Sequence, residues 1–143
     1  MDIPLALAWI RAVAASMNEH VDQLTRLDAA IGDADHGANM RRGFGMVVPV
    51  IDNFPHRTVG QVLIKTGSTL VTVMGGAAGP LYGSAFRAAG KKLGAQVVTP
   101  EALLMSLYAG LAAIGWPPAK YRFQSGNWPC PIVSRTMCFI GKW

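Results

Sequence analysis

Apolar residues recur along most of this chain at helical spacing, and no run alternates convincingly with a period of two. Leu5, Ala8, Ile10, Val13, Met17, Val21 and Leu24 follow one another with Arg11, Asn18, Glu19 and Asp22 largely between them, which predicts a first helix from 5 to about 27. A second helix opens at Gly37 or Ala38 and carries Phe44, Val47, Val48 and Ile51. It must stop by Phe54, because Pro55 disfavours helical geometry in the residue before it. Thr58 is a suitable N-cap for a third helix bearing Val62, Leu63, Leu70, Val71 and Val73, and Gly75-Gly76 punctuates its end. A fourth starts near Gly79-Pro80 and runs to about Leu93. The trio Thr99-Pro100-Glu101 supplies a capping hydroxyl, a first-turn proline and an acid that complements the helix dipole, opening a fifth helix over 102–114. The fold class predicted is all-α.

The character changes after residue 114. Residues 115–143 hold four of the nine prolines, three of the four tryptophans and both cysteines, Cys130 and Cys138, and keep no helical period. They also carry four Lys or Arg and no acid, whereas residues 1–114 carry nine bases and all eight acids. The formal charge of +5 is therefore a property of the tail, and a basic stripe for nucleic acid on the folded body is excluded. Two divisions follow: a helical domain over 1–114 and a divergent Pro/Trp-rich basic tail over 115–143, readable as a linker, a partner-binding tail or a changed reading frame. With 51% hydrophobic and 15% charged residues in 143, disorder is excluded on composition and one domain is the natural count. The cysteine-free body argues against a secreted disulfide scaffold, and the N-terminus lacks a basic signal-peptide region. The uncharged stretches 66–86 and 102–119 approach the length of a membrane span, but glycines and prolines break them. They are read as helices of a soluble protein, with the cytoplasm as its place.

Chemistry concentrates in two glycine-framed segments. In the first, Asp28, Asp33 and Asp35 fall within eight residues at a junction between predicted helices. Acids held together repel unless a cation neutralises them, and Mg²⁺ takes a few carboxylates while sharing its other positions with water and phosphate. Gly37, Ala38 and Asn39 follow at a helix N-terminus, where free amides and the dipole suit an anion. The same acids could instead cap a helix or sit in a solvated turn. An EF-hand is excluded, since no glutamate closes the loop at its twelfth position. The second segment, 74–84, offers a backbone-lined surface at Gly75, Gly76, Ala77, Ala78 and Gly79. It is neither a P-loop, lacking the Lys-Ser/Thr, nor a Rossmann turn, lacking a strand, and tight helix packing would also explain its small residues.

Together the segments resemble a family. Ile-Gly-Asp-x-Asp-His-Gly-x-Asn-Met at 31–40 and Gly-Gly-Ala-x-Gly-Pro-Leu-Tyr-Gly at 75–83, with Leu27-Asp28 before and Arg42-Gly43-Phe44 after the first run, look like the nucleotide-binding L subunit of dihydroxyacetone kinase. The resemblance covers about residues 5–114. Related fatty-acid kinase domains carry threonine where this chain has His36, so the histidine favours the dihydroxyacetone branch. The resemblance implies a barrel of antiparallel amphipathic helices with nucleotide at one end. It implies Mg²⁺ held by Asp28, Asp33 and Asp35, and ADP (or ATP) met by His36, Gly37, Ala38, Asn39, Ala77 and Ala78. No side chain of this chain need act as nucleophile, and His20 and His56 are read as surface residues. A chain with only L-type motifs resembles the phosphoenolpyruvate-dependent members. Its partners would then be a separate K subunit that holds dihydroxyacetone, a phosphohistidine carrier of the sugar phosphotransferase system and, in some members, a transcriptional regulator. The alternatives are an interaction module without turnover and a fragment of an ATP-dependent kinase. Two departures stand out. Ala78 replaces a serine common in the family, which costs on the order of 1 kcal/mol for one hydrogen bond. The family's later helices have no counterpart, so the resemblance implies a barrel incomplete at the C-terminus, with apolar faces left in water at about 25 cal/mol per Å².

Overall fold

Three helices start where a side-chain oxygen takes the amide three residues on: Asp2 Oδ1 accepts from Leu5 at 2.9 Å, Thr58 Oγ1 from Gln61 at 3.1 Å and Thr99 Oγ1 from Ala102 at 3.2 Å. The computed structural model describes residues 1–95 and 97–115. Six helices are found among them, α1 (Ile3–Glu19), α2 (Val21–Ala29), α3 (His36–Asp52), α4 (Val59–Val73), α5 (Ala78–Leu93) and α6 (Pro100–Ala113), with no strand. The all-α prediction holds. The expected tail, with Cys130 and Cys138, lies beyond Gly115 and outside the described residues. Among the described residues no helix is long and apolar enough to cross a membrane.

The single helix expected over 5–27 is two. At His20 the backbone leaves the helical basin (φ −102°, ψ 17°), and its amide and ring Nδ1 both meet the Ser16 carbonyl, at 3.0 and 2.8 Å. A one-residue break leaves the apolar rhythm almost intact, so the sequence pattern runs straight through it. The stripe shifts too: Ala6 and Ile10 are buried, while Leu5 and Leu27 are 55% and 63% exposed.

The helices layer in chain order. α3 is flanked by α1 and α2, α4 lies on α3, α5 on α4 and α6 on α5. The core is supplied by Ile10 of α1, by Met40, Phe44, Val47 and Ile51 of α3 at intervals of three and four, by Val62, Leu63 and Leu70 of α4, and by Leu93 of α5. Phe86 joins the layers, with ring centroids 6.1 Å from Trp9 and 6.2 Å from Phe44. The closest packing is backbone on backbone. A Cβ on Gly67 would stand 2.5 Å from the Gly83 carbonyl, and one on Gly60 would stand 2.7 Å from that of Gly90. Gly67 opposite Gly83, and Gly60 opposite Gly90 one heptad away, means that α4 and α5 run antiparallel. This brings the end of α4 and the start of α5 to one end of the molecule, next to the start of α3. The outer face of α6, with Leu104, Met105, Leu107, Tyr108 and Leu111, is apolar and exposed.

Candidate functional site

The segment between α2 and α3 is organised by one side chain. Asp28, near the end of α2, accepts at Oδ2 from the amides of Asp35 and His36, at 3.0 and 3.2 Å, and at its carbonyl from the amides of Ile31 and Gly32. Asp35 occupies the N-cap position of α3 but makes no capping bond with its side chain. The cap comes from Asp28 of the preceding helix. Two glycines permit this. A Cβ on Gly32 would collide with the Asp28 carboxylate, and one on Gly37 with the Val21 carbonyl and the Thr25 hydroxyl. Gly37 thus lets the start of α3 lie against α2, which sets Asp28 over the first amides of α3.

The loop then bends at Ala34, which adopts φ 62°, a left-handed conformation costly for any residue with a Cβ. Beyond this bend, single oxygens of Asp28, Asp33 and Asp35 all lie within 4.8 Å of one another, Asp28 half-buried and the other two exposed. Opposite oxygens on an octahedral Mg²⁺ stand about 4.2 Å apart, so small side-chain rotations would let the three share one ion. The donor set is all hard oxygen, which fits Mg²⁺ and not a soft metal. Asp28 commits Oδ2 to two amides, and its Oδ1, beside Gly32, accepts no hydrogen bond among the described residues.

A cleft of about 240 Å³ opens beside these carboxylates. One wall is Asp28, Asp33, Asp35, His36 and Asn39; the other is the turn at 75–78 between α4 and α5. Two helix N-termini therefore face the same space. In α3 the His36 amide goes to Asp28 and that of Asn39 to the Asp35 carbonyl, at 2.9 Å. The amides of Gly37 and Ala38 have no acceptor among the described residues. Ala77 caps α5 with no side-chain bond, leaving its first amides open as well. Carboxylates for a cation beside open amides for an anion make a site suited to a metal-bound phosphate ester.

Of the nine residues predicted for the site, the structure brings Asp28, Asp33, Asp35, His36, Asn39, Ala77 and Ala78 to the cleft. Gly37 is buried against α2 and Ala38 is exposed, and neither residue lines the cleft. Gly75 and Gly76 were not among the nine. Their place in the second run was the available signal, and Gly76 needs its glycine, with φ +62°. Asn39 is 5% exposed; its Oδ1 accepts from Arg42 Nη2 at 2.6 Å, and Arg42 Nε donates to the Val73 carbonyl at 3.1 Å. This connection between α3 and the end of α4 has no local signature. His56, expected at the surface, is half-buried, with Nε2 at 2.9 Å from the Ile51 carbonyl. A hollow of about 390 Å³ at the opposite end of α4 gathers only one acid, Asp2, already used to cap α1.

The DAK2 domain family matches residues 30–116, and the chain belongs to that family. It is 37% identical over 114 residues to the PTS-dependent dihydroxyacetone kinase, ADP-binding subunit DhaL of Lactococcus lactis subsp. lactis, covering 80% of this chain and 57% of that protein. It is 42% identical over 96 residues to the PEP-dependent dihydroxyacetone kinase, ADP-binding subunit DhaL of Escherichia coli, covering 66% and 46%. Similarity extends at 32% over 111 residues to the triokinase/FMN cyclase of Bos taurus, covering 77% of this chain and 18% of that protein. The chain spans about half the length of the DhaL relatives it matches.

Proposed function

We propose that this chain is the ADP- and Mg²⁺-binding subunit of a phosphoenolpyruvate-dependent dihydroxyacetone kinase. In this role it serves phosphoryl transfer from a phosphohistidine carrier of the phosphotransferase system to dihydroxyacetone held on a separate K subunit. The observation that carries the reading is the meeting, in one cleft, of three aspartates with the start of α3 and the backbone turn that opens α5. Support for the donor comes from the relatives. Those named as ADP-binding DhaL subunits are 35–42% identical, against 31–32% for the dihydroxyacetone kinase of Citrobacter freundii and the triokinase.

In this reading Asp33, Asp35 and the free oxygen of Asp28 hold Mg²⁺, which when bound offsets the negative charge of the phosphates. The amides of Gly37 and Ala38 donate to phosphate oxygens from one side, and those of residues 77 and 78 from the other. The contribution of Gly37 and Ala38 is thus through backbone rather than side chain. His36 stands at the cleft as a nucleotide contact, and no residue here acts as nucleophile. A transcriptional regulator is a further partner in the same proposal.

Calorimetric titration of ADP into the chain, with and without Mg²⁺, tests this. Magnesium-dependent binding that the Asp33→Ala/Asp35→Ala variant loses is the outcome expected. A folded chain that takes no ADP in either condition would sink the proposal.

A further inference from the structure

Arg42 is absent from the cleft lining, yet it bonds Asn39 of one wall and lies beside Gly75 of the other. Its Nη2 donates to Asn39 Oδ1 at 2.6 Å, and its Nε donates to the carbonyl of Val73, the last residue of α4, at 3.1 Å. A guanidinium has five donors and no acceptor. The Asn39 amide must therefore turn its oxygen to Arg42 and its NH₂ group the other way. Both ends of the amide lie beside the second wall: a Cβ on Gly75 would stand 2.9 Å from Asn39 Oδ1 and one on Gly76 3.6 Å from Nδ2, and all three residues line the cleft. Nδ2 has no hydrogen bond, and it is not among the buried orphaned atoms, so it keeps some exposure at a residue that lines the cleft.

We infer that Arg42 is a positioning residue. By holding Asn39 in one amide orientation, it makes this point of the cleft an obligate hydrogen-bond donor, aimed at an acceptor oxygen beside the carboxylate cluster. Under the nucleotide reading given above, on which this rests, that acceptor is a phosphate oxygen of ADP. Without Arg42 the amide is free to flip, and a flipped Asn39 presents oxygen to phosphate. The Val73 bond has a second consequence, since it ties the start of the 75–78 wall to α3. The site width and the amide orientation thus depend on the same side chain.

The test is a double-mutant cycle on the full chain, with MgADP as the titrant and thermal unfolding followed in parallel. Arg42→Ala and Asn39→Ala each weaken MgADP by about tenfold, and the double variant is no more than about twofold weaker than Asn39→Ala alone. Arg42→Lys keeps the charge but cannot present two forked donors, so it weakens binding nearly as much as Arg42→Ala. It also stands in for that variant if Arg42→Ala does not fold. A merely structural arginine would lower the melting temperature in step with affinity, and its effect would multiply with that of Asn39→Ala. Either that multiplication or wild-type affinity in both Arg42 variants overturns the positioning role alone. Wild-type chain that takes no MgADP overturns the nucleotide reading, and this role with it.

Discussion

The two walls of the cleft are built by opposite means. The first, from Asp28 to Asn39, presents mainly side chains, with a carboxylate that caps the next helix and two more gathered within 4.8 Å of it. The second, 75–78, is made mainly of backbone, two glycines and two alanines that carry at most a methyl. The first wall is consequently coupled to stability, because Asp28 both caps α3 and belongs to the carboxylate cluster. The second is coupled to the first through Asn39 and Arg42, and its loss should be felt by the ligand more than by the fold.

This difference can be broken from either side. Asp28→Ala has the largest effect expected: it removes the one oxygen that accepts from two amides and, under the proposed function, one cation ligand, so stability falls by about 1–2 kcal/mol. MgADP affinity falls by at least about a hundredfold in the same variant, as read by melting and calorimetry. Gly75→Ala comes next. Its Cβ would press within 2.5 Å of Arg42 Nη2 and 2.9 Å of Asn39 Oδ1. Those are flexible side-chain ends, so affinity drops about tenfold while stability changes by less than about 1 kcal/mol. A Gly75→Ala chain that loses stability as heavily as Asp28→Ala would erase the contrast between the walls.

Smaller changes sharpen it. Ala78→Ser adds a hydroxyl at the first residue of α5 and should tighten MgADP about fivefold by one further hydrogen bond. Ala34→Gly relieves the left-handed strain between Asp33 and Asp35, with a net gain of about 0.5 kcal/mol after the added freedom of the unfolded chain. The smallest effect lies far from the cleft. Hydrogen bonding from its own backbone amide, and then from the Thr99 side chain, holds the Glu101 carboxyl below the usual carboxylate range. Its contribution is present above the unfolded carboxylate range and is lost as pH falls through the lower folded value. Glu101→Gln should therefore lower the melting temperature slightly at neutral pH and flatten the acid limb, with the two chains converging at low pH.

The parts legible in sequence are those whose physics is local. A cap at Thr58 or Thr99 is a contact over three residues, so residue type and spacing reveal it. The core positions Phe44, Val47 and Ile51 follow from period alone, and the crowding of three aspartates within one short segment marks the place of the carboxylate cluster. The motif runs likewise pointed to both walls of the cleft. Periodicity, by contrast, could not show the break at His20, since one residue barely shifts a stripe. Nor could it show that Asp28 rather than Asp35 caps α3, because that choice depends on how closely Gly37 lets α3 approach Val21 and Thr25. The meeting of residues 28–39 with 75–78 was decided by tertiary structure. It requires α4 and α5 to pack antiparallel through Gly60, Gly67, Gly83 and Gly90, and Arg42 to span the gap that remains. Contacts between residues far apart in sequence leave no mark on the residues between them, so only the assembled helices could reveal them.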